Sequence, residues 1–371
     1  MSMQHRLAEV RQKRGLSAAA LAAQAGVSRQ TIYAIEAGQY VPNTLVALRL
    51  GQALGVAVEE LFRLQREPGP ARGSRQVELL AAEGAVEAGQ SVRLCRVGRQ
   101  LVGVFAPPFP AELPAADGVV VKAEGSRAAV IEPFRAEKEM EKRLLVAGCD
   151  PGMAVLARHL AQQSPLELIT AGCSSLQALE WLRDGKVHIA GSHLSDEASG
   201  ESNLPMVKKL FPRGGYRVIT FALWEEGLVA ARGNPKGVRG IEDLARQDVT
   251  LVNRQAGAGS RFLLDRALRR AVIPATKVRG YDQIAPGHMA AAWHVYAGQA
   301  DCSIVTRAAA RAFGLPFLPL AQERYDLVIP RRFFELPAVD ALLDTMSRLA
   351  FRRELEALGG YDTSQTGTVQ A

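Results

Sequence analysis

Between residues 144 and 360, five short apolar runs each lead directly into a helical pattern. LLVAGC precedes DPGMAVLARHL, LELIT precedes SSLQALEWLRDG, and KVHIAG precedes SHLSDEASGE. VTLVNR then precedes AGSRFLLDRAL, and DCSIV precedes TRAAARAF. This alternation predicts an α/β domain built on parallel strands. Such folds bind ligands beyond the carboxyl ends of their strands, where loops turn into helices. Those loops single out Cys149, Asp150, Ser174, Ser175, His193, Arg254, Gly257, Gly259, Ser260 and Arg261. Glycines let backbone N–H groups approach an anion, and the helix N-terminus beyond adds a favourable dipole. The serine hydroxyls can donate, although each serine also suits a helix N-cap. Arg254 and Arg261 supply forked cationic donors. The stretch VNRQAGAGSRF has no Lys after its second glycine, and Arg261 and Phe262 follow where GxGxxG needs a third, so no nucleotide-hydrolysing site is expected.

The first 66 residues carry eight Lys or Arg against four acids, a surplus of four out of +7 for the whole chain. They divide into short helices with clear signals: Ser17 before AAALAAQAG, Ser28 before RQTIYAIEAG, and Pro42 before NTLVALRLGQALG. Leu7, Val10, Leu16, Leu21, Ala25, Val27, Ile32, Ile35, Leu45, Leu48, Leu54, Val56 and Leu61 recur at helical spacing and predict one small core. Two helices joined across AGVS make a helix-turn-helix, with Gly26 permitting the turn.

Residues 67–143 form the middle segment. REPGPARGSR reads as a linker, and SVRLCRV, RQLVGVF, VVVKA and RAAVIEPF as short strands of a β-rich connector. A spacer is favoured there over a small ligand-binding barrel. No apolar run reaches the roughly 18 residues of a membrane span, and no signal-peptide pattern opens the chain, so a cytoplasmic protein without membrane partner is expected. The four cysteines form no CxxC pair, which argues against a zinc ribbon or disulfide framework. Cys149, Cys173 and Cys302 each sit next to an apolar run and read as strand ends and packing residues. His288 and His294 lie on poorly aligned helix faces, so no metal pair is expected. No paired base and nucleophile with a supporting orienter is evident either, and no enzyme activity is expected.

LSAAALAAQAGVSRQTIYAIEAG, continued by PNTLVALRLGQALG, resembles the XRE/phage-repressor helix-turn-helix family over almost that family's full length. The resemblance implies that the second helix enters the major groove of double-stranded operator DNA. Arg29, Gln30, Thr31 and Tyr33 match its base-reading positions, and Ser28 and Asn43 its phosphate contacts. Ala18 departs from the Gln the family often has there, which alters the backbone contacts. AGCDPGMAVLARHL, DGKVHIAGSHL with SGESNLP, DLARQDVTLVNRQAGAGSR, LPLAQERYDLVIP and FRRELEALGGYDTSQTG resemble the type II periplasmic-binding-protein-like domain, in its molybdate-binding branch. Relatives often read GSGTR where this chain has Gly257 to Arg261, so Ala258 loses one hydroxyl. The resemblance implies two α/β lobes hinged near 219–230 and 318–328, with Tyr325 at the cleft. The expected architecture is thus an all-α helix-turn-helix domain over 1–66, the connector over 67–143, and a two-lobed α/β sensing domain over 144–371. The expected protein is a homodimeric DNA-binding regulator of a small anionic effector. That effector is a molybdate or tungstate oxyanion, or else a small organic acid, with no covalent cofactor. An enzyme on the type II fold is the remaining alternative.

Overall fold

A computed structural model describes residues 3–64, 74–80, 86–105, 115–196 and 200–371. The chain forms two compact units, residues 1–70 and 71–371.

The first unit contains β1 (Met3–His5), α1 (Leu7–Lys13), α2 (Ala18–Ala25), α3 (Arg29–Glu36), α4 (Thr44–Leu54), α5 (Val58–Leu61) and β2 (Phe62–Leu64). The ribbon that β1 and β2 form was absent from the sequence expectation, because three-residue strands carry no periodic signal. Ser17, Ser28 and Asn43 cap α2, α3 and α4, each accepting from a backbone N–H one turn on. Gly26 ends α2 at φ 66°, the left-handed conformation the turn requires. The core gathers Leu7, Leu21, Ala25, Ile32, Ile35, Leu50, Leu54 and Leu61. Leu45 and Leu48 depart from expectation and are exposed. The buried stripe of α4 is Ala47, Leu50, Gly51 and Leu54, an i, i+3, i+4, i+7 set that puts the other two leucines on the opposite face.

The second unit opens with a closed barrel of β3 (Arg75–Leu80), β4 (Ser91–Val97), β5 (Gln100–Phe105), β6 (Gly118–Ala123) and β7 (Ala128–Pro133), in the order β3-β5-β4-β6-β7. Val77, Leu79, Val92, Leu94, Val120, Ala129 and Ile131 form its own core cluster, so the barrel is a packed body. Much of the expected linker, residues 65–73, and most of the Pro-rich stretch, residues 106–114, lie outside the described residues.

A buried ion pair fastens the barrel to the α/β domain C-terminal to it. Arg143 donates from Nη1 and Nη2 to the two oxygens of Asp117 at 2.7 and 3.0 Å, and to the Leu94 carbonyl at 2.7 Å. Leu80, Cys95, Val97, Val102 and Val104 of the barrel join the large core cluster of that domain.

The α/β domain begins with β8 (Arg143–Gly148), α6 (Met153–Gln163), β9 (Glu167–Gly172), α7 (Ser175–Arg183), β10 (Ile189–Ser192) and α8 (Leu204–Leu210). The long β11 (Tyr216–Ala230), β12 (Asn253–Arg254), α9 (Gly259–Arg270), β13 (Ile284–Ala285), α10 (His288–Tyr296), β14 (Cys302–Thr306) and α11 (Arg307–Ala312) come next. The equally long β15 (Phe317–Pro330), α12 (Arg331–Phe334), α13 (Pro337–Ser347), α14 (Leu349–Ala357) and β16 (Tyr361–Asp362) complete it. One sheet runs β14-β11-β15-β10-β8-β9. Strands β8, β9 and β10 are parallel as expected. Strands β11 and β15 are antiparallel to each other and to their other neighbours, which makes the sheet mixed.

Two further expectations are corrected. SHLSDEASGE does not form a helix in its described part. Ser195 bridges Ser202, Leu194 donates to the Asn203 side chain, and residues 197–199 lie outside the described residues. VTLVNR shrinks to a two-residue pairing with β13 plus one bridge from Leu251 to Cys302. Cys302 therefore begins β14 rather than ending a strand. No helix among the described residues is long and apolar enough to cross a membrane.

Candidate functional site

Strands β11 and β15 pass through both lobes and carry four large side chains into the space between them: Trp224 and Glu226 from β11, Glu323 and Tyr325 from β15. Their pairing register shifts between Thr220 and Ala222 and again between Glu226 and Gly227. Bulges of this kind re-aim side chains near functional sites. Tyr325 lies between Gly148 and Gly191, and a Cβ at either position would run into its phenol. The two loops after β8 and β10 thereby come close together.

Those loops deliver Cys149 and His193. The Cys149 sulfur lies 3.2 Å from His193 Nε2 and 3.6 Å from His288 Nε2, at the start of α10. On the far side of its ring, His193 Nδ1 is 2.7 Å from Glu323 and 3.6 Å from Glu226. His288 Nδ1 is 3.7 Å from Glu226, which also accepts a hydrogen bond from Ser260. Trp224 packs edge-on against both imidazoles, with centroids at 4.8 and 5.2 Å. Both histidines and Glu226 are fully buried, and Cys149 is half-buried. Burial pushes the Glu226 carboxyl up to about 8, helped by the Glu323 charge, and raises Glu323 as well. Burial drives His288 well below its ordinary value, reinforced by the Arg254 and His193 charges. For His193 burial acts the same way, but Cys149 and Glu226 outweigh it and the pKa is raised.

The raised Glu226 value has a measurable consequence. The folded chain holds a proton there that the unfolded chain releases above its ordinary 4.5. That contribution is complete below about 4.5 and is lost as pH climbs through about 8. Glu226→Gln is therefore expected to remove a fall in stability between these values, read as the difference between wild-type and variant denaturation curves across pH. Parallel pH profiles would show that Glu226 ionises normally.

Arg254 is 0 % exposed, and among the described residues neither Nη1 nor Nη2 has a hydrogen-bond partner. Only its Nε reaches the Gln255 side chain, at 3.4 Å. Because a guanidinium keeps its charge, such burial costs several kcal/mol unless an anion compensates.

The other expected residues take several places. Ser174 caps α7, accepting from Gln177 N at 3.3 Å. Ser175 accepts from the His193 backbone at 3.2 Å and so positions that loop. Asp150 accepts from Gly152 N and Tyr361 Oη, and burial raises it to about 7. The Gly257 carbonyl, beside its φ of 79°, accepts from Leu176 N across the cleft at 3.2 Å. Gly259 opens α9 so close to His193 that a Cβ would strike the ring. The lobes are thus in contact, in a closed arrangement. Arg261 points elsewhere: it stacks on Tyr281 at 3.9 Å, pairs with Asp265 at 3.3 Å and donates to the Arg254 carbonyl.

Sequence reasoning missed Trp224, Glu226, Glu323 and His288. A usable signal was present for two of them, since ITFALWEEGLVA and LAQERYDLVIP each place acids inside an apolar run. It also missed the Cys149–His193–Glu323 array, a thiol, an imidazole and a carboxylate in hydrogen-bonding order, because its members are 44 and 130 residues apart. Cavities of about 590 Å³ beside Leu194, Phe262, Arg266 and Glu323 and about 150 Å³ beside Cys149, Pro286 and His288 flank the cluster.

The N-terminal unit presents a second candidate surface. Arg29 and Gln30 stand exposed on the first turn of α3, with Thr31 half-exposed and Tyr33 46 % exposed. Arg29 donates to the Tyr33 hydroxyl at 3.0 Å and lies over its ring at 5.4 Å. Ser28 and Asn43 keep their side chains at the starts of α3 and α4.

Comparison with known proteins agrees with both halves. Residues 157–347 match the PBP superfamily domain, more than half of the chain. The chain belongs to the PBP superfamily. Residues 7–61 of this superfamily member match the helix-turn-helix family, so a helix-turn-helix domain is fused to a PBP-like domain. It is 34% identical over 237 residues to the uncharacterized protein YvgK of Bacillus subtilis (strain 168), covering 63% of this chain and 75% of that protein. Its head is 40% identical over 65 residues to the uncharacterized HTH-type transcriptional regulator YgzD of the same organism, covering 18% of this chain and 98% of that protein. Among solved structures it is similar to a putative phosphate ABC transporter substrate-binding protein with bound phosphate from Clostridium perfringens. The identity is 11%, the coverage 59% of this chain and 98% of that one, and the TM-score 0.43.

Proposed function

We propose that this protein is a one-component transcriptional regulator, whose PBP-like domain closes on a small anion and whose helix-turn-helix head reads operator DNA. The observation that carries the ligand half is Arg254, a fully buried guanidinium with both Nη groups unpartnered among the described residues. A bound anion supplies the missing charge and acceptors. Closure occurs if the anion binds the closed conformer better than an open one, and the change in lobe angle reaches the DNA-binding heads of a cytoplasmic homodimer. Paired heads occupy half-sites about 34 Å apart or a multiple of that.

The effector is proposed first as a tetrahedral oxyanion of the molybdate or tungstate type. The buried carboxyls of Glu226 and Glu323 favour a second reading. Once ionised they are acceptors to which an oxyanion without protons offers no donor, whereas a small organic acid bearing hydroxyl or amino groups does. Titration calorimetry with molybdate, tungstate and a panel of organic acids separates the two, and absence of heat from every anion would refute both.

The DNA half rests on α3. Gln30→Ala is expected to weaken specific operator binding by about 1–3 kcal/mol while leaving binding to random DNA unchanged. Equal losses on both DNAs in a fluorescence-anisotropy titration would count against base reading by this helix.

A further inference from the structure

The anion reading uses Arg254 but gives no role to the convergence of two imidazoles on one sulfur. A hydrogen-bonded thiol needs only one imidazole partner, as in a nucleophile–base pair. Here His193 Nε2 and His288 Nε2 both face Cys149 Sγ, at 3.2 and 3.6 Å. Around a tetrahedral zinc ion with bonds of about 2.3 Å to sulfur and 2.0–2.1 Å to nitrogen, sulfur and nitrogen ligands lie roughly 3.5 Å apart. The second nitrogen of His288 lies 3.7 Å from Glu226, beyond hydrogen-bond reach, whereas that of His193 is held by the carboxylate of Glu323 at 2.7 Å. Carboxylates in that position fix the ligating tautomer and orient the ring in metal sites.

We propose that Cys149, His193 and His288 form a three-ligand site for a thiophilic divalent ion of the zinc type. A thiolate with two imidazoles selects such an ion over magnesium or calcium. Trp224, edge-on to both rings, walls the site, and three protein ligands leave a fourth position for water or another donor. The cavity of about 150 Å³ beside Cys149 and His288 adjoins the sulfur. Cys149 and His193 belong to the lobe of β8 and β10, whereas His288 opens α10 in the other lobe. An ion held by all three therefore ties the lobes together, and it shifts the population towards the closed form because only that form presents the complete set. This goes beyond the anion reading and does not rest on it, since the ligands are side chains of the chain itself.

The test uses the full-length protein, stripped by a chelator and titrated with zinc chloride in a buffer free of oxyanions and carboxylates. Anion heats and metal occupancy are thereby read separately. One zinc per chain is expected. Cobalt(II) in its place should give a thiolate-to-metal charge-transfer absorption that Cys149→Ser removes. His288→Ala should weaken zinc binding by about 100-fold or more, and Glu323→Gln by about 10- to 100-fold, with unchanged far-ultraviolet circular dichroism. The proposal is overturned if the wild type binds neither ion stoichiometrically, if Cys149→Ser leaves the cobalt spectrum intact, or if alkylation of Cys149 proceeds at the same rate with zinc present.

Discussion

Arg254→Met is expected to abolish anion binding and, at the same time, to stabilise the ligand-free protein. The two effects have one cause. The guanidinium is fully buried, and its Nη atoms have no partner among the described residues. On the proposed reading those atoms donate to the bound anion. Truncating one side of a buried, hydrogen-bonded charge pair costs about 2–5 kcal/mol, or roughly thirty- to several-thousand-fold in affinity. Without ligand the same charge is an uncompensated desolvation cost. An unbranched thioether fills similar space without that cost, so ligand-free stability should rise by about 1–4 kcal/mol. Chemical denaturation without ligand, then calorimetry with the effector, reads both signs. A ligand-free variant less stable than wild type would mean that the guanidinium already has its counter-charge inside the fold.

The opposite sign is expected at the other buried arginine. Arg143 is nearly as enclosed as Arg254, but Asp117 meets it with both oxygens, and Asp117 also accepts from Arg93 Nε at 3.0 Å and Leu94 N at 2.9 Å. Burial works against the Asp117 charge, yet the hydrogen bonds from Arg143 and Leu94 hold its carboxyl below the ordinary 3.8. Asp117→Ala removes the bidentate partner and leaves Arg143 only the more exposed Glu167, 2.7 Å from Nη2, so it is expected to cost about 1.5–3 kcal/mol at neutral pH. The deficit should shrink as pH falls through the lowered carboxyl value, where the wild type loses the same charge. Arg143→Met leaves Asp117 with Arg93 and should also cost stability, and the double variant less than the sum, since each single variant already removes the same direct pair. Additive losses in denaturant titrations would show that the two residues do not act as a pair.

The contrast between these arginines was invisible in the sequence. VNRQAGAGSR suggested that Arg254 and Arg261 both face the ligand, because both lie at one strand-to-helix junction. The structure separates them: the Arg261 guanidinium is engaged by Tyr281 and Asp265, whereas both Nη groups of Arg254 have no partner among the described residues. Local signals were legible wherever chemistry is local. The caps at Ser17 and Ser28, the turn at Gly26, and the helices after β8, β9 and β12 derive from neighbours within a turn or two. The inner wall of the cleft was illegible because Glu226 and Glu323 sit within long strands whose pairing is antiparallel and twice shifted in register. His288 was weighed against His294, its neighbour in sequence, whereas its closest thiol is Cys149, 139 residues away.

Glu226 and Glu323 stand on the two strands that the halves of the sensor share, while Cys149, His193, Arg254 and His288 ride on the halves themselves. In the hinge motion proposed above, the riders swing outward and the acids stay at the pivot. On the proposed reading the carboxyl groups are the fixed part of the site, and the basic and sulfur-bearing walls are the part that moves. The backbone crossing thus separates a stationary floor, common to both halves, from walls that each half brings to it.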